Sequence, residues 1–353
     1  MKSLGYLRDP MKDCLELNQD KDTVVTQDRM IDVRNTLDTK VLRGSVIELK
    51  DYFTDCPSVF RLDNKWYMYF LAISKDTKVS GYETHVAVSD DLLNWSYLGP
   101  ILKRDESRNW DSKQIAGYAA LYDTCIGRGC RLNRYQDNYW VSYLGGFKDG
   151  YEPDPLSIGI AKSKNPTDCK SFIRSDEPIL SPCDPDCREY ETKTLYKSTI
   201  IFDDNKITSH RFVMFYNAKG FDNKERIYSA VSDDLIHWKR FGKKPVIDDV
   251  TNNPDCYITA DPMILKDKDG LYIMNFMKYD KQHSAHDTFA CSYDLLNWTE
   301  WTGEPTIAPD KNNPDQDLFA HKPWIITWQG HVYHFYCACS KNNRRYIALA
   351  TDF

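Results

Sequence analysis

Acidic side chains at the start of short apolar segments are the residues of this sequence best suited to acid–base chemistry. Asp55 precedes Cys-Pro-Ser-Val-Phe, Glu191 precedes Thr-Lys-Thr-Leu-Tyr-Lys, and Asp261 precedes Pro-Met-Ile-Leu. Carboxyl groups clustered beside a low-dielectric wall repel one another, which moves their pKa values apart. Glycoside hydrolysis requires two such groups. One carboxylic acid protonates the leaving oxygen, and one carboxylate activates water or attacks the sugar carbon. We therefore take these three as candidate catalytic residues.

Further polar residues lie near the starts of the corresponding segments. An aspartate before proline is also an ordinary turn residue, but the matched positions in separate segments favour a shared site. Lysine and histidine beside a carboxylate could keep it ionised. The predicted substrate-binding residues are Asp111, Gln114, Lys193, Lys197, His321, Lys322 and Trp324.

A repeated turn indicates which elements must position these residues. Ser-Asp-Asp-Leu-Leu-Asn-Trp at 89–95 recurs as Ser-Asp-Asp-Leu-Ile-His-Trp at 232–238 and as Ser-Tyr-Asp-Leu-Leu-Asn-Trp at 292–298. A degenerate copy without tryptophan begins at Ser157. Before each copy come short segments rich in β-branched and aromatic residues, bounded by turn residues. Five units of about 50–70 residues are typical of propeller blades, and we interpret the turns as structural.

The predicted fold is all-β, a five-bladed β-propeller with blades of four antiparallel strands in one domain over residues 1–353. The predicted blades span about 51–108, 109–178, 188–249, 256–308 and 317–353. The last unit stops after its third strand, and an open edge would leave backbone groups unpaired. We expect the N-terminal extension, 1–50, to close the ring through a strand at 22–27 or 44–49. No helical periodicity of useful length is visible.

The bulk composition excludes several classes of partner. The 353 residues carry a formal net charge of −6 without a basic stripe, so we expect no nucleic-acid partner. No apolar run is long enough to span a bilayer, and the start lacks the apolar core of a secretory signal. The odd number of cysteines, 11, favours free thiols and a reducing compartment, so we expect a cytoplasmic location. The sequence does not predict an oligomeric state.

The blade pattern resembles the five-bladed propeller glycosidases, especially glycoside hydrolase family 43 and its uncharacterised relatives. The resemblance covers about residues 50–353. It is carried by Asp55-x-Pro57-Ser58-Val59-Phe60, by Lys-Trp-Tyr-Met-Tyr-Phe at 65–70 and by the Ser-Asp-Asp-Leu-x-x-Trp turns. It implies a carbohydrate substrate and cleavage of a glycosidic bond. The loops at 144–156 and 279–288 are expected to shape the pocket.

The resemblance also implies roles for individual residues. The family's general base corresponds to Asp55, and its general acid, which precedes a Tyr-Lys ending in the third blade, corresponds to Glu191. The third carboxylate of the family corresponds to Asp111 or Asp261. An axial histidine of the last blade often lies near a central water or a calcium ion, and His321 matches it. We expect no cofactor to be required.

Three functions fit these patterns. The first is an inverting exo-glycosidase acting on an oligosaccharide or a glycan side chain. The second is a glycoside phosphorylase, in which phosphate held by Lys193, Lys197 and Lys322 replaces water. The third is a sugar-binding propeller that lacks catalytic activity. The irregular second blade is the feature that supports this alternative. We expect the hydrolase.

Overall fold

Strands carry nearly all regular structure in the computed structural model, which describes residues 24–76 and 81–353. Within these ranges the helical elements are α1 (Gln27–Thr36), α2 (Asp249–Asn252) and a 3₁₀ turn at Glu189–Glu191. The nearly all-β architecture confirms that part of the prediction. Segments rich in aromatic and β-branched residues form these strands because such side chains pack well on a pleated surface.

The strands pair into five antiparallel sets. One strand precedes them in the sequence: β1 (Val41–Ile47). The first set comprises β2 (Tyr52–Leu62), β3 (Lys65–Ser74), β4 (Tyr82–Ser89) and β5 (Ser96–Leu102). The second comprises β6 (Gln114–Ala119), β7 (Tyr139–Gly146), β8 (Ser157–Ser163) and β9 (Ile173–Arg174). The third comprises β10 (Thr194–Phe202), β11 (Phe212–Lys219), β12 (Glu225–Ser232) and β13 (Lys239–Phe241).

The last two sets follow the same order. The fourth comprises β14 (Cys256–Lys266), β15 (Tyr272–Asp280), β16 (Ser284–Ser292) and β17 (Thr299–Glu300). The fifth comprises β18 (Phe319–Trp328), β19 (His331–Cys339) and β20 (Arg345–Thr351), with β1 antiparallel to β20. The N-terminal strand therefore supplies the fourth strand of the last set, from the predicted segment 44–49 and the residues just before it.

In the other N-terminal segment expected to form a strand, the described residues, 24–27, are not part of one. Residues 22 and 23 lie outside the described ranges, and Thr26 caps helix α1 by accepting a hydrogen bond from the Arg29 backbone N–H at 3.3 Å. This helix was not predicted because Met30 and Val33 alone are buried on it, which gives a weak periodic signal. No helix of the described ranges is long and apolar enough to cross a bilayer.

The repeated turns have one hydrogen-bonding scheme. In the first copy the Asp91 carboxylate accepts backbone N–H groups from Leu93 at 2.9 Å and Asn94 at 2.7 Å. The Trp95 indole donates to the Leu92 carbonyl at 3.1 Å. The copies at 232–238 and 292–298 repeat these bonds. The bonds are local to each turn, and none of the turn residues lines the cavity described below, which agrees with the structural interpretation.

Candidate functional site

Three of the first strands carry a β-bulge at the same place, and each bulge turns one side chain inwards. The register of the ladder shifts after Asp55 in β2, after Ala260 in β14 and after His321 in β18. The next residue has a positive φ in each case and precedes proline. These residues are Cys56 (φ 46°), Asp261 (φ 57°) and Lys322 (φ 68°). Because a bulge re-aims a side chain, all three line one cavity.

The cavity has a volume of about 240 Å³ and lies where the first strands of the sets converge. Its wall is largely aromatic and aliphatic, a surface on which sugar rings can stack. The aromatic lining residues are Tyr82, Tyr118, Tyr151, Tyr196, Tyr279 and Phe319. The charged lining residues are Glu152, Lys197, Glu225, Asp261, Lys322 and Arg345. A largely apolar wall with converging charged groups is typical of a small-molecule site.

Asp55 lies fully buried beside this cavity and is paired with two of its cations. Its Oδ2 accepts a hydrogen bond from Lys322 Nζ at 2.9 Å and lies 3.3 Å from Arg345 Nη1. Its Oδ1 accepts the Cys56 backbone N–H at 2.8 Å. Burial by itself raises the pKa of Asp55, but Lys322 and Arg345 outweigh it and hold the pKa well below its usual range. Asp55 is therefore ionised, with both cations engaged.

Glu225, the first residue of β12, has the opposite electrostatic environment. Burial raises the pKa of its carboxyl to about 8, and the neighbouring charges of Glu152 and Asp261 add to the effect. Asn217 donates a hydrogen bond to Glu225 Oε2 at 2.7 Å. A carboxyl group with this pKa is mostly protonated at neutral pH and can donate a proton to a bound substrate.

Glu152 lies on the loop between β7 and β8 and reaches the same cavity. The Tyr82 hydroxyl donates to its Oε1 at 2.5 Å. The Gln114 side chain holds the loop in place by donating to the carbonyls of Lys148 at 2.8 Å and Gly150 at 3.0 Å. Gln114, a buried residue of the first strand β6, thus helps to position the Glu152 carboxylate on the loop.

Lys197 also lines the cavity but, unlike Lys322 and Arg345, forms no ion pair with a carboxylate of the described ranges. Its Nζ has no hydrogen-bond partner among the described residues, although the side chain is only 1% exposed. The ammonium lies 5.6 Å from the centre of the Tyr118 ring and 5.8 Å from that of Trp324. A buried ammonium without a hydrogen-bond partner is available to polar groups of a ligand.

Comparisons with known proteins agree with this geometry. No protein-family model and no curated protein matches the sequence. A solved glycoside hydrolase is 36% identical, with a TM-score of 0.87 over 94% of this chain and 96% of that one. BT0996, in a complex with RGII, is 37% identical, with a TM-score of 0.88 over the same shares.

This protein belongs to the glycoside hydrolases. A thermostable family-43 glycoside hydrolase is also similar, at 16% identity and a TM-score of 0.63 over 87% of this chain and 92% of that one. At that identity the likeness concerns the fold alone. The predicted resemblance to propeller glycosidases and the prediction of a glycosidase are both confirmed.

The structure of this glycoside hydrolase does not bring Glu191 into the cavity. Glu191 is fully buried, and its Oε1 accepts hydrogen bonds from the Tyr216 hydroxyl at 2.5 Å and Arg188 Nη1 at 2.8 Å. Its Oε2 accepts from Arg240 Nε at 2.9 Å. Glu191 is absent from the cavity lining. The expectation that it shares a pocket with Asp55 therefore has no geometric support, because two arginines hold it elsewhere.

This placement gives a prediction for stability. Glu191→Gln removes the charge that two buried guanidinium groups face, and we expect it to lower the free energy of unfolding by about 3 kcal/mol. Denaturant unfolding measures the change. The matched control is Glu189→Gln, an exposed glutamate two residues away, which should leave stability unchanged. Folded Glu191→Gln with turnover reduced a hundredfold and unchanged stability would restore Glu191 as the acid.

Two residues of the second set that were predicted to bind substrate have other roles. Asp111 is fully buried, with Oδ1 2.6 Å from Arg108 Nε and Oδ2 3.4 Å from Arg174 Nη1. The Tyr143 hydroxyl also donates to it at 3.0 Å. Gln114 supports the Glu152 loop, as described above. Asp111 does not line the cavity, so its contacts indicate a structural role.

The remaining predicted residues divide between the cavity and its surroundings. Lys197, Asp261, His321 and Lys322 line the cavity. Lys193 is 3.4 Å from Asp154 and does not line it. Trp324 is fully buried, and its indole donates to the Val59 carbonyl at 2.7 Å. Both expected pocket-shaping segments do contribute, through Tyr151 and Glu152 in one and Tyr279 and Ala285 in the other.

Sequence reasoning missed Glu152, Glu225 and Arg345. The predicted residues come from the starts of the first strands, whereas Glu225 and Arg345 begin third strands and Glu152 lies on a loop. A usable signal was present, because all three are charged residues next to an apolar strand or within a loop already expected to shape the pocket.

The surroundings of His321 do not suit calcium. Its Nδ1 donates to the Cys337 carbonyl at 3.1 Å, and the thiols of Cys337 and Cys339 lie nearby, with their sulfurs 3.8 Å apart. Calcium prefers several oxygen ligands, and the nearby Asp55 carboxylate is already paired with two cations. The ten cysteines of the described ranges are all unpaired.

Proposed function

We propose that this glycoside hydrolase uses Glu225 as its general acid. The observation that carries the proposal is the raised pKa, about 8, of a carboxyl group that lines the cavity. A glycosidic oxygen is a poor leaving group until it is protonated, so the acid must still hold its proton at the working pH. Glu225 meets this requirement through burial and through the charges of Glu152 and Asp261.

Glu152 is the proposed partner carboxylate. It lines the same cavity as Glu225, and its charge helps to raise the pKa of Glu225. The Tyr82 hydroxyl orients one of its oxygens, which leaves the other for a water molecule or a sugar carbon. Asp55, proposed earlier as the base, acts instead by fixing Lys322 and Arg345 at the cavity wall.

The proposed substrate is the terminal sugar of a glycan side chain. A cavity of about 240 Å³ suits a single sugar ring better than a long polymer, which favours exo action. The similar protein BT0996 was captured in a complex with RGII, so RGII is the first substrate to test. A panel of aryl pyranosides and furanosides covers other sugars, and release of reducing sugar measures turnover.

We keep the inverting course as part of the proposal, motivated by the resemblance to family 43. Water would attack the anomeric carbon directly while Glu225 protonates the leaving oxygen. Proton NMR of the first product identifies its anomer before mutarotation. A product with the substrate's configuration would instead indicate a covalent intermediate on the partner carboxylate.

Phosphate is a weaker candidate for the attacking group. Lys322 and Arg345 are both occupied by Asp55, and Lys193 lies outside the cavity lining. One unpaired lysine, Lys197, then remains in the cavity, whereas phosphate binding usually draws on several donors. Turnover measured with and without inorganic phosphate, with analysis for a sugar phosphate, separates the two reactions.

We propose that the five strand sets close into a five-bladed propeller forming one domain. A hydrophobic cluster supports closure, because it joins Val59 of the first set to Met263 of the fourth and Trp324 of the fifth. The pairing of β1 with β20 supports it as well. A closed ring brings the first strands together around one cavity.

Closure through β1 leads to a stability prediction. Ile47 is buried on this strand and pairs with Ile347, so Ile47→Asp should lower the free energy of unfolding by about 3 kcal/mol. Leu42→Asp on the same strand is the control, because Leu42 is 48% exposed. Urea unfolding compares them. Equal stability of the two variants would show that packing of β1 against β20 does not stabilise the fold.

A further inference from the structure

The hairpin between β15 and β16 carries three potential metal ligands away from the catalytic cavity. Asp280 ends β15, His283 lies in the turn and His286 lies on β16. Their ligand atoms all fall within 4.8 Å of one another. Because side chains alternate along a strand, Tyr279 and Ala285 face the cavity while Asp280 and His286 face the other side of the hairpin.

The turn already holds the carboxylate in position. Asp280 Oδ1 accepts the His283 backbone N–H at 2.7 Å, which leaves Oδ2 free of that bond. Asp280 Oδ2 lies 3.6 Å from His283 Nδ1 and 3.9 Å from His286 Nε2. Both distances are too long for hydrogen bonds. Two ligand atoms about 2.1 Å from a tetrahedral ion would be about 3.4 Å apart, so small side-chain adjustments would bring them around one ion.

The unprotonated Nε2 of His286 faces the Asp280 carboxylate. Its Nδ1 donates to the Ser284 carbonyl at 3.1 Å, so the neutral ring carries its lone pair on Nε2. Two acceptors, Nε2 and Oδ2, then face each other without a proton between them. A second ring nitrogen hydrogen-bonded to a backbone carbonyl is the usual support for a metal-binding histidine.

The neighbouring charges leave room for a cation. Lys278 lies beside His286, but its ammonium is paired with Asp249 at 3.0 Å and Glu300 at 2.8 Å. The groove beside the three ligands is open and is also lined by Thr288 and Trp301. Water or another small ligand could complete the coordination there.

We propose that Asp280, His283 and His286 bind one divalent transition-metal ion of the zinc type. Two imidazoles and one carboxylate suit Zn²⁺, Co²⁺ or Ni²⁺, whereas Mg²⁺ and Ca²⁺ prefer oxygen ligands. The ion joins the two strands of a hairpin whose opposite face lines the catalytic cavity. It is a site separate from the acid–base pair.

Cobalt titration of chelator-treated protein tests the proposal. Co²⁺ binding is measured by visible absorbance, and competition with Zn²⁺ gives the affinity for Zn²⁺. We expect one equivalent to bind wild type, and His283→Gln or His286→Gln to weaken binding at least about a hundredfold. The matched control is His237→Gln, because His237 also lies three residues after its carboxylate partner, Asp234, at 2.7 Å. That variant should bind as wild type does.

A second measurement guards against misfolded variants and thiol binding. Zn²⁺ should raise the thermal unfolding midpoint of wild type and His237→Gln but not of the two site variants, whose midpoints without metal show whether they fold. Thiolate-to-cobalt absorption in the near ultraviolet would mark binding at cysteine thiols instead. Absence of binding, or equal binding by all four proteins, would overturn the proposal.

Discussion

Glu225→Gln should lower kcat/KM about 10³-fold for substrates with poor leaving groups. Glutamine keeps the shape and can still bond to Asn217, but it cannot give up a proton to the leaving oxygen. Aryl glycosides with strongly acidic leaving groups should lose far less, because they depart without protonation. Comparing kcat/KM across such a series measures the effect.

The same residue should set the alkaline side of the pH profile. Glu225 is active as an acid while protonated, so wild-type turnover should fall as the pH rises through about 8. In Glu225→Gln this alkaline limb should disappear. Glu304→Gln, at an exposed glutamate, is the control and should behave as wild type. An unchanged profile in Glu225→Gln would assign the acid role to another residue.

Glu152→Gln should also lower kcat/KM about 10³-fold, but with a different dependence on the leaving group. A carboxylate that activates water or attacks the sugar is needed whatever group departs, so good and poor substrates should lose similar factors. Initial rates on the same aryl glycoside series measure this. The contrast between the two variants assigns acid and partner separately.

A matched substitution on the same loop controls for loop disorder. Asp149→Asn changes an exposed carboxylate three residues before Glu152 and should retain wild-type turnover. If Asp149→Asn lost as much activity as Glu152→Gln, the loss would be due to disturbance of the loop and not to removal of the Glu152 carboxylate. If Asp55→Asn alone abolished turnover without loss of stability, Asp55 would regain the role of base.

Several features of the site could be predicted from local sequence. Apolar segments and repeated turns predicted the first three strands of each set, because side-chain periodicity and turn chemistry act over a few residues. The prolines after Cys56, Asp261 and Lys322 mark bulges in first strands, and all three residues reach the cavity. The helix at Gln27–Thr36 was missed because few of its residues are buried.

The sequence by itself determined the strand pattern, the glycosidase resemblance and four of the residues that line the cavity, Lys197, Asp261, His321 and Lys322. The tertiary structure decided which carboxyl groups meet. Glu191 matches the expected acid in sequence, yet Arg188 and Arg240 from its surroundings pair with it away from the cavity. Glu152 and Glu225, 73 positions apart, share the cavity because a loop and a third strand converge there. Local patterns do not encode such long-range convergence, and the burial and charge that raise the pKa of Glu225 exist only once the sets have packed together.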